Sequence, residues 1–198
     1  MKVLLVNTSE EENGTLMNAL KMCSSFLSEK NIDSEIIDVK NVHPCTGCGK
    51  CLRRRKCLFD GIVNEIASRS EEFDGMIVSS EVLYGQLSKV TIDFMNCLFR
   101  SANEKFVGKV GAVLLHAHKG YPMEAYNKLN SYYSSSCMPV MTGRYYNTIH
   151  DLDEKDTIEI QRLVENMSWL LNCIAVGKQE GIFNPDSVEK LDEFMKGR

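Results

Sequence analysis

An open, doubly wound parallel α/β sheet with helices on both faces is the fold this sequence predicts, with five strands in the order 2-1-3-4-5. Two observations carry it. Short apolar runs ending in polar residues alternate with longer segments of helical apolar spacing, and no internal repeat, low-complexity tract or linker interrupts the alternation. Residues 1–198 are therefore expected to form a single domain with a cysteine-rich loop at 43–60 after strand two and a long C-terminal helix near 155–176.

The elements follow in order. Lys2–Val6 is a short apolar run stopped by Asn7, the pattern of a buried strand. Gly14–Lys30 carries Leu16, Leu20, Cys23 and Leu27 at helical spacing. Glu35–Val39 fits the second strand, and a helix is expected near Gly61–Ser70. Asp74–Ser80 reads as the third strand, with a helix over Lys89–Arg100. Lys109–His116 is the fourth, Tyr121–Ser135 a helix, and Met138–Thr142 a short fifth strand. The last helix, Lys155–Val176, is expected to bury Ile158, Leu163, Met167, Leu170 and Leu171, with Trp169 in the core or a subunit contact.

The balance of 23 basic against 27 acidic residues, a net charge of −4, gives no reason to expect general affinity for nucleic acid or membranes. No apolar run is long enough to span a bilayer, and the run after Lys2 is too short for a signal-peptide core. With eight cysteines and no such signal, the expected location is the reducing cytoplasm. Four of them, Cys23, Cys97, Cys137 and Cys173, stand singly in apolar stretches and read as small core side chains.

The other four, Cys45, Cys48, Cys51 and Cys57, fall into the spacing C-x2-C-x2-C-x5-C. Four thiolates that close together suit the iron corners of a 4Fe–4S cubane, and Gly47 and Gly49 permit the tight turns that wrapping requires. A tetrahedral zinc site or four free thiols are the alternatives, although zinc motifs usually come as two separated knuckles. Lys50, Arg53, Arg54, Arg55 and Lys56 make this stretch cationic, with no acid from His43 to Phe59. Such a patch is either a solvated rim or a docking surface for an acidic electron carrier such as a ferredoxin.

In an open sheet of this order a ligand crevice lies beyond the carboxyl ends of strands one and three. The loop Asn7–Thr15 offers hydroxyls and the free amides of a helix start, which suit a phosphate monoester but also an ordinary helix cap. The segment Ser80–Gly85 offers backbone groups and the ring of Tyr84. His116 and His118 follow strand four at the same end. Tyr145 and Tyr146 read as packing or as the far wall of the crevice.

These residues resemble the flavodoxin-like iron–sulfur flavoproteins within the wider NAD(P)H-dependent FMN reductase group. The likeness runs through Asn7, Ser9 and Asn13-Gly14-Thr15, the cysteine run with Phe59-Asp60, Asp74-Gly75, Ser80, Tyr84-Gly85 and Lys109 with His116. It continues through Met138-Pro139-Val140, Tyr145-Tyr146-Asn147 and Asn166 to Leu170. The resemblance implies FMN, with Ser9, Asn13, Gly14, Thr15 and Leu16 at the phosphate and Ser80, Val82, Leu83, Tyr84 and Gly85 along the isoalloxazine. It places His116 and His118 in a loop closing over the ring, a 4Fe–4S cluster on Cys45, Cys48, Cys51 and Cys57, and a homodimer or homotetramer as the assembly. Two departures stand out: Ser9-Glu10-Glu11-Glu12 replaces the family's Ser-Pro-Arg-Lys, and Glu81 and Lys89 replace a proline and a glycine. The acidic loop argues against a grip on the extra phosphate of NADPH.

The expected function is that of an FMN-dependent redox flavoprotein, moving electrons between a reduced carrier or NAD(P)H and a small acceptor. A cluster-free NAD(P)H:FMN or quinone reductase is one alternative. A non-catalytic electron carrier or zinc-binding module is the other.

Overall fold

The computed structural model describes residues 1–11, 14–59, 61–117 and 122–182. Among these described residues seven strands, β1 (Lys2–Asn7), β2 (Asp33–Asp38), β3 (Gly75–Leu83), β4 (Gln86–Leu87), β5 (Val110–Ala117), β6 (Val140–Met141) and β7 (Thr148–Ile149), form one sheet. Its main path, β2-β1-β3-β5-β6, follows the expected order. The expectation of five strands is corrected to seven, because two short strands lie off that path.

The first extra strand comes from a turn. Tyr84 and Gly85 have φ of 50° and 78°, so two left-handed residues close a tight hairpin in which Val82 faces Leu87 and Leu83 faces Gln86. Strand three therefore runs to Leu83 rather than stopping at Ser80, and β4 pairs antiparallel with its end. The second comes from a break in strand five. β6 pairs with Gly111 and Ala112, the chain then leaves the sheet through residues 142–147, and β7 rejoins it opposite Leu115 and His116. Tyr145, Tyr146 and Asn147 all have positive φ, a costly run for non-glycine residues. Asn147 anchors it: its Oδ1 accepts from the Gly143 amide at 2.6 Å, and its Nδ2 donates to the Val113 carbonyl at 3.0 Å.

The helices are α1 (Thr15–Glu29), α2 (Cys51–Arg54), α3 (Gly61–Ser68), α4 (Lys89–Ala102), α5 (Met123–Ser135) and α6 (Glu154–Gln179). β1 is apolar on both faces, as a strand between two helical layers must be. Val3 and Leu5 pack in a core with α1 and α6, while Leu4 and Val6 pack in a second core with α3, α4 and α5. Burying each such side chain contributes about 1.5–3 kcal/mol before entropy. Gly111 is required by close approach: a Cβ there would lie 2.7 Å from the Tyr133 ring, whose hydroxyl donates to Ala112 O at 2.9 Å.

On α6 the buried face is Ile160, Leu163, Val164, Met167 and Leu171, so two expectations change. Ile158 is exposed, and Trp169 is 68% exposed on the outer side of the helix rather than in the core. Cys173 is exposed as well, whereas Cys23 and Cys97 are buried as expected. At the amino end of the sheet, Glu35 takes both Arg69 nitrogens, at 2.8 and 2.7 Å, and Lys2 Nζ at 2.6 Å. Those partners, Arg69 foremost, hold its carboxyl down to about 2. Among the described residues, no helix is long and apolar enough to cross a membrane.

Candidate functional site

The carboxyl ends of β1, β3 and β5 are tied together by side-chain hydrogen bonds. Thr8 Oγ1 donates to the Ser79 carbonyl at 2.6 Å and lies 2.6 Å from Thr91 Oγ1. Thr91 in turn meets Ser80 Oγ and Ser88 Oγ, each at 2.7 Å, and Ser88 caps α4 by accepting from the Thr91 amide. Ser9 Oγ donates to Glu81 Oε1 at 3.5 Å and accepts from the Glu11 amide at 3.3 Å. Glu81 Oε2 lies 2.7 Å from His116 Nδ1, joining the first loop to β5 through β3. This carboxylate raises the pKa of His116, against the opposing pull of burial.

Among the expected site residues, Ser9, Ser80 and His116 are thus brought into one connected network, all three buried. Ser80 holds the hairpin, since its hydroxyl donates to Glu81 O and accepts from the Ser88 amide. Leu16 and Val82 have their side chains in the two cores, so only their main chains are available to a ligand. Gly14 and Thr15 open α1 partly exposed, with no side-chain cap and no acid in the first turn. Glu11 folds over that start: a Cβ on Gly14 would lie 2.6 Å from its Oε2. A carboxylate thus stands where helix amides favour an anion, and the amides and hydroxyls gathered there fit a phosphate monoester. Asn13 and His118 lie outside the described residues.

Beyond the hairpin the surface turns apolar. Tyr84 is 99% exposed and Leu83 beside it is also exposed, while Gly85 is buried in the turn. Met123 and Tyr146 form a second exposed group, with the Tyr146 hydroxyl donating to Met123 Sδ at 3.6 Å and its ring edge-on to Tyr126 at 5.5 Å. Exposed aromatic and thioether groups at a sheet crevice suit a planar ring.

The segment between β2 and α3 carries the cysteines. Cys45 and Cys48 are exposed, Cys51 and Cys57 partly so. All four border one cavity of about 20 Å³, room for roughly one water, shared with Phe59, Cys97 and Arg100. Among the described residues no three His, Cys, Asp or Glu side chains converge as metal ligands. The donor set nevertheless suits a four-thiolate cluster: four cysteines line one space, and Gly47 and Gly49, both at φ 68°, let the chain turn sharply between them. The segment is held at its ends. Cys97 Sγ donates to His43 O at 3.2 Å, His43 stacks on Phe59 at 4.7 Å, and Asn64 clamps both main-chain groups of Cys57 at 2.8 and 2.9 Å. The five cations are exposed, and Arg55 reaches Glu104 at 3.4 Å.

Sequence reasoning passed over Ser88, Thr91 and Cys97 as site-building residues and gave Thr8 only as one of the hydroxyls of the first loop. Ser88, three residues before Thr91 at a helix start, carried a capping signal. Cys97 carried none, because the four cysteines that share its cavity, Cys45 to Cys57, precede it in the chain by 40 to 52 positions.

The chain is similar to known proteins at two levels. It is 31% identical over 90 residues to an iron–sulfur flavoprotein of Methanocaldococcus jannaschii, covering 44% of this chain and 47% of that protein. It is 29% identical over 120 residues to an iron–sulfur flavoprotein of Archaeoglobus fulgidus, covering 57% and 54%. The matches thus span about half the length of these curated relatives. In fold it matches a flavodoxin from the domain Archaea with a TM-score of 0.60 at 19% identity, over 87% of this chain and 99% of that one. The sheet is accordingly flavodoxin-like. Residues 1–152 match the family model described as NADPH-dependent FMN reductase, and the chain belongs to that family.

Proposed function

We propose that this chain is an FMN-dependent oxidoreductase that passes electrons between a donor and a small acceptor by way of FMN and a 4Fe–4S cluster. The observation that carries the reading is that four cysteines in the spacing C-x2-C-x2-C-x5-C line one cavity in a chain of the FMN reductase family. The names of the archaeal relatives support the iron–sulfur part. FMN supplies two-electron chemistry and a four-thiolate cluster one-electron chemistry, so together they match donors and acceptors of different electron number.

Each group of residues has its own task. The amides at Gly14, Thr15 and Leu16, with the Ser9 and Thr15 hydroxyls and Asn13, hold the phosphate. Leu83, Tyr84 and Gly85 at the hairpin flank the ring, Ser80 and Val82 fix the strand end beneath it, and His116 borders it from β5, with His118 as a further ring contact that the family resemblance implies. Cys45, Cys48, Cys51 and Cys57 ligate the cluster, with Asn64 fixing the main chain of the last. The exposed cations around them attract an acidic carrier such as a ferredoxin. The reaction belongs to the cytoplasm, where the thiols stay reduced, and a homodimer or homotetramer is the proposed assembly. Residues 1–198 act in it as one domain.

Cofactor released from the purified protein by heat should run as FMN on chromatography; FAD, or a chain that never takes up flavin, would overturn this reading. Thr15→Ala and Ser9→Ala should each weaken FMN binding by about 0.5–2 kcal/mol in a fluorescence titration. A second reading, a cluster-free reductase, draws on the absence of converging ligands among the described residues. Iron and sulfide analysis separates the two.

A further inference from the structure

Glu81 commits its two oxygens to different elements. Oε2 lies 2.7 Å from His116 Nδ1, and Oε1 accepts from Ser9 Oγ at 3.5 Å. His116 is 4% exposed, and its other ring nitrogen, Nε2, lies 2.9 Å from the main-chain oxygen of His150. A carbonyl oxygen can only accept a hydrogen bond, and so can an ionised carboxylate. A neutral imidazole carries one N–H, which leaves one of these two contacts as acceptor against acceptor. Both are satisfied when Glu81 and His116 together keep a proton, as imidazolium and carboxylate.

The surroundings favour that state. Asp151 adds to the attraction of Glu81 for a charged His116. Glu11 of the first loop is exposed, and α1 brings no acid in its first turn. Asp156 of α6 is occupied elsewhere, accepting from the His150 and Leu152 amides at 2.8 and 2.9 Å and standing 3.9 Å from His150 Nδ1.

We propose that Glu81 and His116 are positioning residues whose shared proton sets how firmly the first loop binds a phosphate. With the proton, the pair presents no net charge to Ser9, and Glu81 is engaged by His116, so the single Ser9 hydroxyl hydrogen turns to the ligand. Without it, a bare carboxylate competes for that hydrogen and repels the dianion. Affinity is therefore present while the proton is bound and is lost as pH rises through the raised pKa of His116. The inference rests on the proposed seating of the FMN phosphate in this loop.

The test is a fluorescence titration of the full chain with FMN, and with riboflavin, which lacks the phosphate, between pH 7 and 9. The window lies above the phosphate's own second ionisation near pH ~6. Wild-type affinity for FMN should fall roughly tenfold across it while riboflavin changes little. Glu81→Gln, which keeps an acceptor for His116, should flatten the FMN profile. Independently of any flavin, nitrogen NMR of histidine-labelled protein should show both His116 ring nitrogens protonated at pH 7. A flat wild-type FMN profile, a slope shared by riboflavin, a slope kept in Glu81→Gln, or a neutral His116 at pH 7 would each overturn the proposal. Failure to bind FMN or riboflavin at all would instead overturn the proposed function, and the NMR measurement would still judge the pair.

Discussion

At the ends of β1 and β3, Thr8, Ser79, Ser80, Ser88 and Thr91 are joined by contacts of 2.6 to 2.7 Å. Between Cys45 and Cys51, two glycines have nothing within 4 Å of where a Cβ would stand, and two of the thiols lie exposed. The sheet rim is organised by the chain's own hydrogen bonds, so a ligand there meets a preformed site. The cysteine segment is tied where it enters and leaves and through Cys51 and Arg55, while Cys45 and Cys48 stand exposed. Under the proposed function these thiols would be organised by the group they bind, as in small metal-dependent folds. Substitutions in the two regions should therefore differ in kind: all-or-none at the cysteines, graded at the rim.

The largest expected effect breaks the comparison if it fails. Alanine at Cys45, Cys48, Cys51 or Cys57 should each abolish most bound iron in protein prepared without oxygen, while Cys23→Ala leaves iron unchanged. Equal loss in all five variants would point to a general folding defect.

Next comes the cationic rim of the cysteine segment. Arg53→Glu with Arg54→Glu, which spares the Arg55–Glu104 pair, should slow electron transfer with an acidic carrier roughly tenfold at low salt. The deficit should shrink as ionic strength rises. Stopped-flow rates that ignore salt would reduce these arginines to a solvated edge.

A smaller, opposite effect is expected at the first loop. Glu11 lies over the start of α1, so Glu11→Gln should tighten FMN binding by about 0.5–1 kcal/mol in a titration. Unchanged or weaker binding would mean that the carboxylate does not compete for the phosphate seat.

The smallest effect contrasts the two ends of the sheet. The folded-state pKa of His116 is raised, so its contribution to stability is full below the unfolded histidine value and lost as pH rises through the folded one. That of Glu35 is lowered from 4.5 to about 2, so its contribution is present above 4.5 and lost as pH falls towards 2. Melting curves of Glu81→Gln should lose only the alkaline slope, and those of Glu35→Gln only the acid one, each by a few degrees. One slope moved by both variants would contradict the separation.

Much of this was legible in the sequence, for reasons that differ by element. Lys2–Val6 and Lys109–His116 were readable because continuous apolar runs leave little choice of environment. The left-handed run at Tyr145, Tyr146 and Asn147 was not, since no glycine marks it and a side-chain amide holds it through Val113, 34 residues away. The cysteine spacing pointed to the segment that lines one cavity, and the first loop's hydroxyls to the rim network around Thr8 and Ser9. Glu81 was noticed as a departure from the family pattern, but its purpose depends on His116, 35 positions later, a pairing no local rule reveals. Ile158 misled because helical spacing does not say which of two adjacent stripes faces the sheet.

The central claim, that one chain holds both FMN and a four-thiolate cluster, is tested most directly by composition. Protein purified without oxygen should carry about four iron and four sulfide per chain, together with FMN and negligible zinc. Stoichiometric zinc, or flavin with neither iron nor sulfide, would contradict it.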